Sequence, residues 1–460
     1  MNPISSFKNF LIMPRDKDFS SKLIKLMIPM ALQQLMQVSV FIFDTIIVGG
    51  LGDEYIAASG QAGHLIMLMW CGLYGASSAG SIYAAQFWGK DKDVIGVRKA
   101  FTTTVIFGAL IAIPFFIFGY FFREQAMFIL AKDPLTRQIG AEYLSIVSFS
   151  FLFWMISSMF ASMLRSVGIT RIPMIASGIG IAINVAMDSV IVYGFLGFPK
   201  WGIKGAAIST VIGSFVELVV LFVLARRAKA PVAMRRKDFI KPEKDLLKKF
   251  VRAAIPLMAQ NQLWAAGVTV YSICFAYLGV AASAAYNVYG TLGELMNIVF
   301  ISVGGAGGIM IGHILGAGEI ERAKNYSWRL LRIIFISGIV LAPICFFMKD
   351  LFLLPFPNLS DQTIQYARQG LMLISLVIWA RGINFANMNG ILRSGGDTLG
   401  AAAIDIGMLW LYGVPLALLV SYFLHLPFWV LFAVVCSEEV VKVFISIARV
   451  RKYKWAKRLV

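Results

Sequence analysis

Charge is what this 460-residue sequence has least of: Asp, Glu, Lys and Arg make up 14% of it, against 59% hydrophobic residues. A soluble domain of that composition would have no polar surface to present to water. Histidine is scarcer still. His64, His313 and His425 lie far apart in sequence, which argues against a histidine metal cluster. The four cysteines, Cys71, Cys274, Cys345 and Cys436, all sit in apolar runs. They read as small core residues, with neither a disulfide frame nor zinc spacing. With no HExxH-like spacing and no nucleophile–base constellation, a membrane-embedded enzyme is not expected and no cofactor is called for.

What is present is apolar sequence in long runs, with a mean hydropathy of +0.77. Windows of about twenty apolar residues give twelve spans, the first over 23–50 and the last over 427–448. Runs of this length point to helices rather than a barrel. The net charge of +18 could suggest nucleic acid, but its distribution excludes that partner. The densest basic stretches, "ARRAKAPVAMRRKDFIKPEKDLLKK" in mid-chain and "ARVRKYKWAKRLV" at the end, adjoin membrane spans. There, lysine and arginine set topology. Loops such as "GKDKDVIGVRK" and "GEIERAKNYSWRLLR" are basic, whereas "LGDEYIAAS", "LGVAASAAYN" and "FLHLPF" contain no lysine or arginine. With an even number of spans, both termini are expected in the cytoplasm. The chain opens on a short, partly basic lead with no cleavable signal pattern.

The two halves repeat. "IPMALQQ…LG" from Ile28 matches "IPLMAQN…LG" from Ile255, and the same 227-residue offset relates Gly80 to Gly307 and Gly89 to Gly316. Further on, "MLRSVGITR" matches "ILRSGGDTL" at offset 228. A parallel repeat of six spans packs around a pseudo-twofold axis along the membrane normal and leaves a cavity between the halves, an architecture of transporters. The expected fold is thus an all-α integral membrane protein with twelve transmembrane helices in two pseudo-symmetric six-helix lobes around a central cavity. Residues 1–225 form the N-terminal lobe, 226–249 a cytoplasmic basic linker and 250–460 the C-terminal lobe.

Polar residues inside the spans carry the functional reading. In the first span Gln33, Gln37 and Asp44 fall within about 40° of one another at the helical 100° per residue. In the fifth, Asn184 and Asp188 are four apart and share a face. Such a face meets the bundle interior or a watery cavity. Two carboxylates with amide oxygens could bind a proton, because burial and like charge disfavour ionisation, or cage a sodium ion. The bland alternative is that each aspartate pairs with an arginine or caps a kink. Pro29 and its counterpart Pro256 each bend a long span, which suits either a hinge or a purely structural kink.

The second half departs from the first. The offset places Gln260 opposite Gln33, Trp264 opposite Gln37 and Tyr271 opposite Asp44. An amide and aromatic face there suits an organic, often cationic, substrate; the alternative, and the commoner role of such an aromatic, is packing. Glu294 in the eighth span, with Asn297 one turn on, is the candidate charged group on that side; the alternative is a bond to a neighbouring helix. Glu217 and the pair Glu438–Glu439 lie in corresponding last spans, where a structural role is expected with Arg165 and Lys442 as partners. Asp405 is a further intramembrane acid.

The stretches "FDTIIVGGLG" after "IPMALQQ", "QFWGKDK", "LRSVGITRIPM", "INVAMDSVIVYG" and "WGIKGAAISTVIG", then "IGHILGAGEIERAK" and "GILRSGGDT", resemble the multidrug and toxic-compound extrusion (MATE) family over nearly the whole chain. The resemblance implies secondary antiport: export of organic, cationic and amphipathic small molecules in exchange for sodium ions or protons, by alternating access between two six-helix lobes. It places the family's first-span aspartate on Asp44, its fifth-span pair on Asn184 and Asp188, its fourth-span tyrosine on Tyr143, a sixth-span hydroxyl on Thr210 and the first-span proline on Pro29. It departs in the second lobe. "AQNQLWAAG" offers Gln262 or Trp264 where many members carry a glutamate, and "WARGINFANMNGILRS" has Asn384, Asn387 and Asn389 but no carboxylate. Coupling is therefore expected to rest on the first lobe. The expected setting is the plasma membrane of a prokaryote, and a twelve-span bundle with an internal twofold could work as a monomer. The alternative is a flippase or exporter of a lipid-linked or polar metabolite.

Overall fold

The computed structural model describes residues 16–197, 199–233, 243–354 and 359–460. Among them are no strands and twelve long helices: α1 Lys17–Gly49, α2 Asp53–Gly89, α3 Val94–Phe121, α4 Pro134–Ser166, α5 Arg171–Tyr193, α6 Gly202–Arg227, α7 Lys244–Tyr277, α8 Val280–Gly316, α9 Ile320–Phe347, α10 Asp361–Leu392, α11 Thr398–Phe423 and α12 Phe428–Arg451. Ten of these are long and apolar enough to cross a membrane. The other two, α7 and α12, carry the polar residues Gln260, Asn261 and Gln262, and Glu438, Glu439 and Lys442, which dilute their apolar runs. The expected all-α, twelve-helix architecture stands. Part of the expected basic linker, 234–242, lies outside the described residues, as does the lead up to residue 15.

The internal repeat is written into the backbone. Gly52, before α2, has φ 130°, and Gly279, before α8 and 227 residues later, has φ 116°. Only a residue without Cβ takes that conformation cheaply, so the repeated "LG" marks the same turn twice. Gly168 and Gly396 (φ 85° and 81°) repeat the relation at offset 228. A short helix follows the third helix of each half, Arg123–Leu130 after α3 and Lys349–Leu353 after α9. Other helix starts are set by side-chain caps. Asp93 Oδ1 accepts from the Gly96 amide at 2.8 Å, and Asp133 Oδ2 accepts from the Thr136 amide at 2.8 Å and its hydroxyl at 2.9 Å. These satisfy amides that the first helical turn leaves without partners.

The chain forms two compact units: an N-terminal unit, Pro29–Met258, and a C-terminal unit, Ala259–Val460 with the described residues up to Ile28. The divisions fall inside α1 and α7, beside Pro29 and Pro256. In the N-terminal unit Leu65, Met69 and Leu73 on α2 share a core with Phe151, Met155 and Met159 on α4. Both sets follow the i, i+4, i+8 spacing of one helical face. In the C-terminal unit Phe275 on α7, Leu371 and Ile374 on α10, and Phe428 and Phe432 on α12 form the corresponding cluster. The outward faces are apolar as well. Ile106, Leu110, Ile113 and Ile117 make an exposed stripe along α3, a surface suited to lipid tails and unsuited to water.

Candidate ion-coupling site

The site in the N-terminal unit is built on the close approach of α5 and α6. Gly205, Ser209 and Gly213 recur every four residues on α6 and form a strip of small side chains, the device that lets membrane helices touch. A Cβ at Gly213 would lie 2.8 Å from Asn184 Cβ and 2.9 Å from the Gly180 carbonyl oxygen. A Cβ at Gly180 would lie 2.7 Å from Glu217 Cβ. This seam holds the polar groups of α5 against the hydroxyls of α6. Ser209 donates to Asp188 Oδ1, and Asn184 Nδ2 reaches Thr210 Oγ1 at 3.5 Å. Asp188 is 1% exposed and Asn184 7%.

Asp44 arrives from α1, half-buried, with its carboxyl against that of Asp188. Its Oδ1 is buried and accepts no hydrogen bond among the described residues. Tyr143 on α4 lies within electrostatic reach of both carboxyls and packs beside Ala58, Ile139 and Ile203. Residues from α1, α4, α5 and α6 thus meet around two carboxyls, with amide and hydroxyl oxygens beside them. These are hard oxygen donors, suited to a proton or a small monovalent cation and unsuited to a soft metal. No group of three or more His, Cys, Asp or Glu gathers into a metal site among the described residues. Between α1 and α5 lies an open groove of about 480 Å³ lined by Leu35, Met36, Ser39, Phe43, Ile181 and Val185, among others, and by neither carboxyl.

Gln33 belongs to a second set of contacts in the same unit. Arg165 donates to Gln33 Oε1 at 3.3 Å, Gln33 Nε2 donates to Ser177 Oγ at 2.9 Å, and Ser177 donates to Glu217 Oε1 at 2.5 Å. Gln37, one turn on, is exposed. The one-face spacing in α1 therefore leads to three surroundings: Gln33 in a buried network, Gln37 on the surface and Asp44 against Asp188.

In the C-terminal unit Gln260 and Tyr271 are buried at 3% exposure each. Gln260 donates to Asp405 Oδ2 at 2.8 Å and accepts from Arg393 at 3.1 Å; Tyr271 donates to Glu438 Oε2 at 2.6 Å. Trp264 and Glu294 are exposed, and Gln262 and Asn297 are half-buried. Glu294 lies within electrostatic reach of Arg381, whose guanidinium donates to the Tyr289 hydroxyl at 2.7 Å. Two participants, Ser209 and Ser177, are not singled out by the sequence, and Lys442 is singled out there only as a partner for the last-span acids. Ser209 adjoins Thr210 and sits four residues from each of two glycines, a spacing that could have pointed to it.

The family profile described as MatE matches residues 29–190 and again 256–419, two stretches whose starts differ by the same 227 residues. The chain is similar to the probable multidrug resistance protein YoeA of Bacillus subtilis, 26% identical over 379 residues, which cover 82% of this chain and 81% of that one. It is similar to the probable multidrug resistance protein NorM of Thermotoga maritima, 24% identical over 444 residues, 91% of this chain and 89% of the relative. Its fold resembles that of the Vibrio cholerae MATE transporter VcmN in the bent form, with a TM-score of 0.85 at 18% identity over 95% of this chain and 97% of the other.

Proposed function

This chain belongs to the MatE family of membrane transporters, and we propose that it is a secondary active multidrug efflux antiporter. It exports organic, cationic amphipathic compounds in exchange for sodium ions or protons, by alternating access. The observation that carries this reading is the pair of carboxyls from α1 and α5, with the buried Asp44 Oδ1 accepting no hydrogen bond among the described residues. Two adjacent carboxyls within a membrane span cannot both keep an uncompensated charge. They bind one monovalent cation, a proton shared between them or a sodium ion held by Asp44, Asp188, Asn184, Thr210 and Tyr143. Loading neutralises the site and release restores its charge, so the ion biases which conformation the unit adopts.

The half-buried and exposed polar residues Gln37, Gln262, Trp264, Glu294 and Asn297 are assigned to the substrate surface. There an acid and an indole face attract an organic cation. Gln33, Gln260 and Tyr271 support that surface from their buried networks. Pro29 and Pro256 serve as hinges in α1 and α7, with the lobes spanning 1–225 and 250–460. The chain works as a monomer in a prokaryotic plasma membrane with both termini in the cytoplasm.

The test is transport in liposomes carrying the purified protein, with a fluorescent organic cation as probe. An inward sodium gradient and an inward proton gradient are imposed separately. Gradient-driven export under one of them supports the reading and names the ion. No movement of the probe under either gradient, with transport of a lipid-linked or anionic metabolite instead, overturns it.

A further inference from the structure

The repeat that places Asp44 in the N-terminal unit also identifies the corresponding place in the C-terminal unit. "FLGFPKW" before α6 and "FLHLPFW" before α12 match at offset 228, so the register found at "LRSVG" and "LRSGG" runs on through the last helix of each half. In that register Tyr271 takes the place of Asp44, Tyr412 that of Asn184, Leu416 that of Asp188, and Glu438 that of Thr210. Gln260 and Arg393 repeat the Gln33–Arg165 contact at 3.1 and 3.3 Å respectively. Asp405 stands where the N-terminal unit has Ser177, and Lys442 where it has the small Ser214.

The acid and the hydroxyl have therefore exchanged helices. In the N-terminal unit the first helix brings a carboxyl and the sixth brings Thr210. In the C-terminal unit α7 brings the Tyr271 hydroxyl and α12 the carboxyl of Glu438, joined at 2.6 Å. Tyr412 and Ser437 lie 3.2 Å apart and echo the contact of Asn184 with α6. The decisive difference is the ammonium. Lys442 Nζ lies 2.9 Å from Asp405 Oδ1 and 2.8 Å from Glu438 Oε1, with the lysine and glutamate side chains each 6% exposed. Glu439, held by Asn384 Nδ2 at 2.8 Å, is within electrostatic reach of the same ammonium. A wide turn in α11, Leu409–Gly413, brings Gly413 against the Tyr271 hydroxyl and Glu438.

We propose that Lys442 is a tethered counter-cation: it compensates Asp405 and Glu438 in the C-terminal unit as the exchanged ion compensates Asp44 and Asp188 in the N-terminal unit. The inference rests on the reading of Asp44 and Asp188 above. Physically, carboxylates buried at a span's depth need positive charge beside them. In one unit that charge comes from solution and can leave, and in the other it is covalently part of α12 and cannot. The chain then exchanges a single coupling ion per cycle despite its two similar halves. Removing the ammonium leaves Asp405 with Gln260 and, within electrostatic reach, Arg393, and leaves Glu438 with the Tyr271 hydroxyl, so that a soluble cation is expected to take up the charge Lys442 supplied.

The experiment counts bound ions on the purified full-length protein in detergent, using radioactive sodium in one arm and proton uptake in the other. Wild type is expected to bind about one ion per chain and Lys442→Met about twice as many. The double variant Lys442→Met with Asp405→Asn is expected to return to about the wild-type count. Glu438→Gln, which keeps the lysine, is expected to leave the wild-type count unchanged, and it decides the question if Lys442→Met does not fold. A folded Lys442→Met protein with an unchanged count overturns the proposal, and so does a loss of ion from Glu438→Gln. Asp44→Asn separates the two readings. If that variant keeps its ion while Lys442→Met gains one, the tethered cation stands and the assignment of Asp44 falls.

Discussion

A methyl group added at Gly213 tests whether the α5–α6 seam positions the ion site. The new Cβ would lie 2.8 Å from Asn184 Cβ and 2.9 Å from the Gly180 carbonyl oxygen. Ordinary carbon contacts are about 3.5–4.0 Å, so the helices must part by roughly 1 Å. Overpacking of this kind costs about 1–3 kcal/mol. The Asn184–Thr210 hydrogen bond, already at 3.5 Å, would be lost with it, about 0.6 kcal/mol more for a bond inside a membrane bundle. Gly407→Ala on α11 is the control, because a Cβ there meets nothing within 4 Å and gains up to about 1 kcal/mol of helix propensity. The assay is thermal unfolding in detergent, with ion affinity measured on the same samples. Gly213→Ala should melt lower than Gly407→Ala and bind its ion about tenfold more weakly, as follows from roughly 1.4 kcal/mol lost at the site. Equal melting temperatures and equal affinities would show that the α5–α6 seam does not position the site.

Three other outcomes follow from particular contacts. Tyr271→Phe removes the 2.6 Å bond to Glu438 and should cost about 0.6–1.7 kcal/mol of stability; an unchanged melting curve would show that Glu438 does not need that donor. Gln33→Leu takes a partner from both Arg165 and Ser177 and should destabilise by about 1–3 kcal/mol, the penalty for a buried polar group left unmade, read again as a fall in melting temperature. Asp133, at the start of α4, is held below the usual carboxylate range, first by the Thr136 amide and then by its hydroxyl. A depressed carboxylate stabilises fully above its unfolded value, near 3.9, and the benefit fades as pH falls through the lower folded value. The gap in melting temperature between wild type and Asp133→Asn should therefore close below about pH 4. A gap of equal size at pH 3 and pH 7 would contradict that cause.

Helix number and repeat were legible because both rest on local patterns. Apolar runs have a length, and "LG" and "RSVG/RSGG" mark turns that need positive φ, found at Gly52, Gly279, Gly168 and Gly396. The Asn184–Asp188 spacing placed both side chains toward α6 for the same reason. The α1 face was legible only in part: one spacing rule grouped Gln33, Gln37 and Asp44, and neighbours from other helices gave each a different environment. Those neighbours are remote in sequence. Gln33 meets Ser177 across 144 residues and Arg165 across 132, and no periodicity within one span encodes such pairings. Lys442 was legible as a partner for the acids of α12, but its reach to Asp405 on α11 depends on how the helices pack.

If Asp44 and Asp188 carry the coupling ion, neutralising one of them separates transport from binding. The most direct measurement compares gradient-driven accumulation of a fluorescent organic cation with its equilibrium binding, in wild type and Asp44→Asn side by side. Asp44→Asn is expected still to bind the organic cation but no longer to accumulate it under the gradient that drives the wild type. Undiminished accumulation by a folded Asp44→Asn protein would contradict that assignment and place the coupling ion elsewhere in the chain.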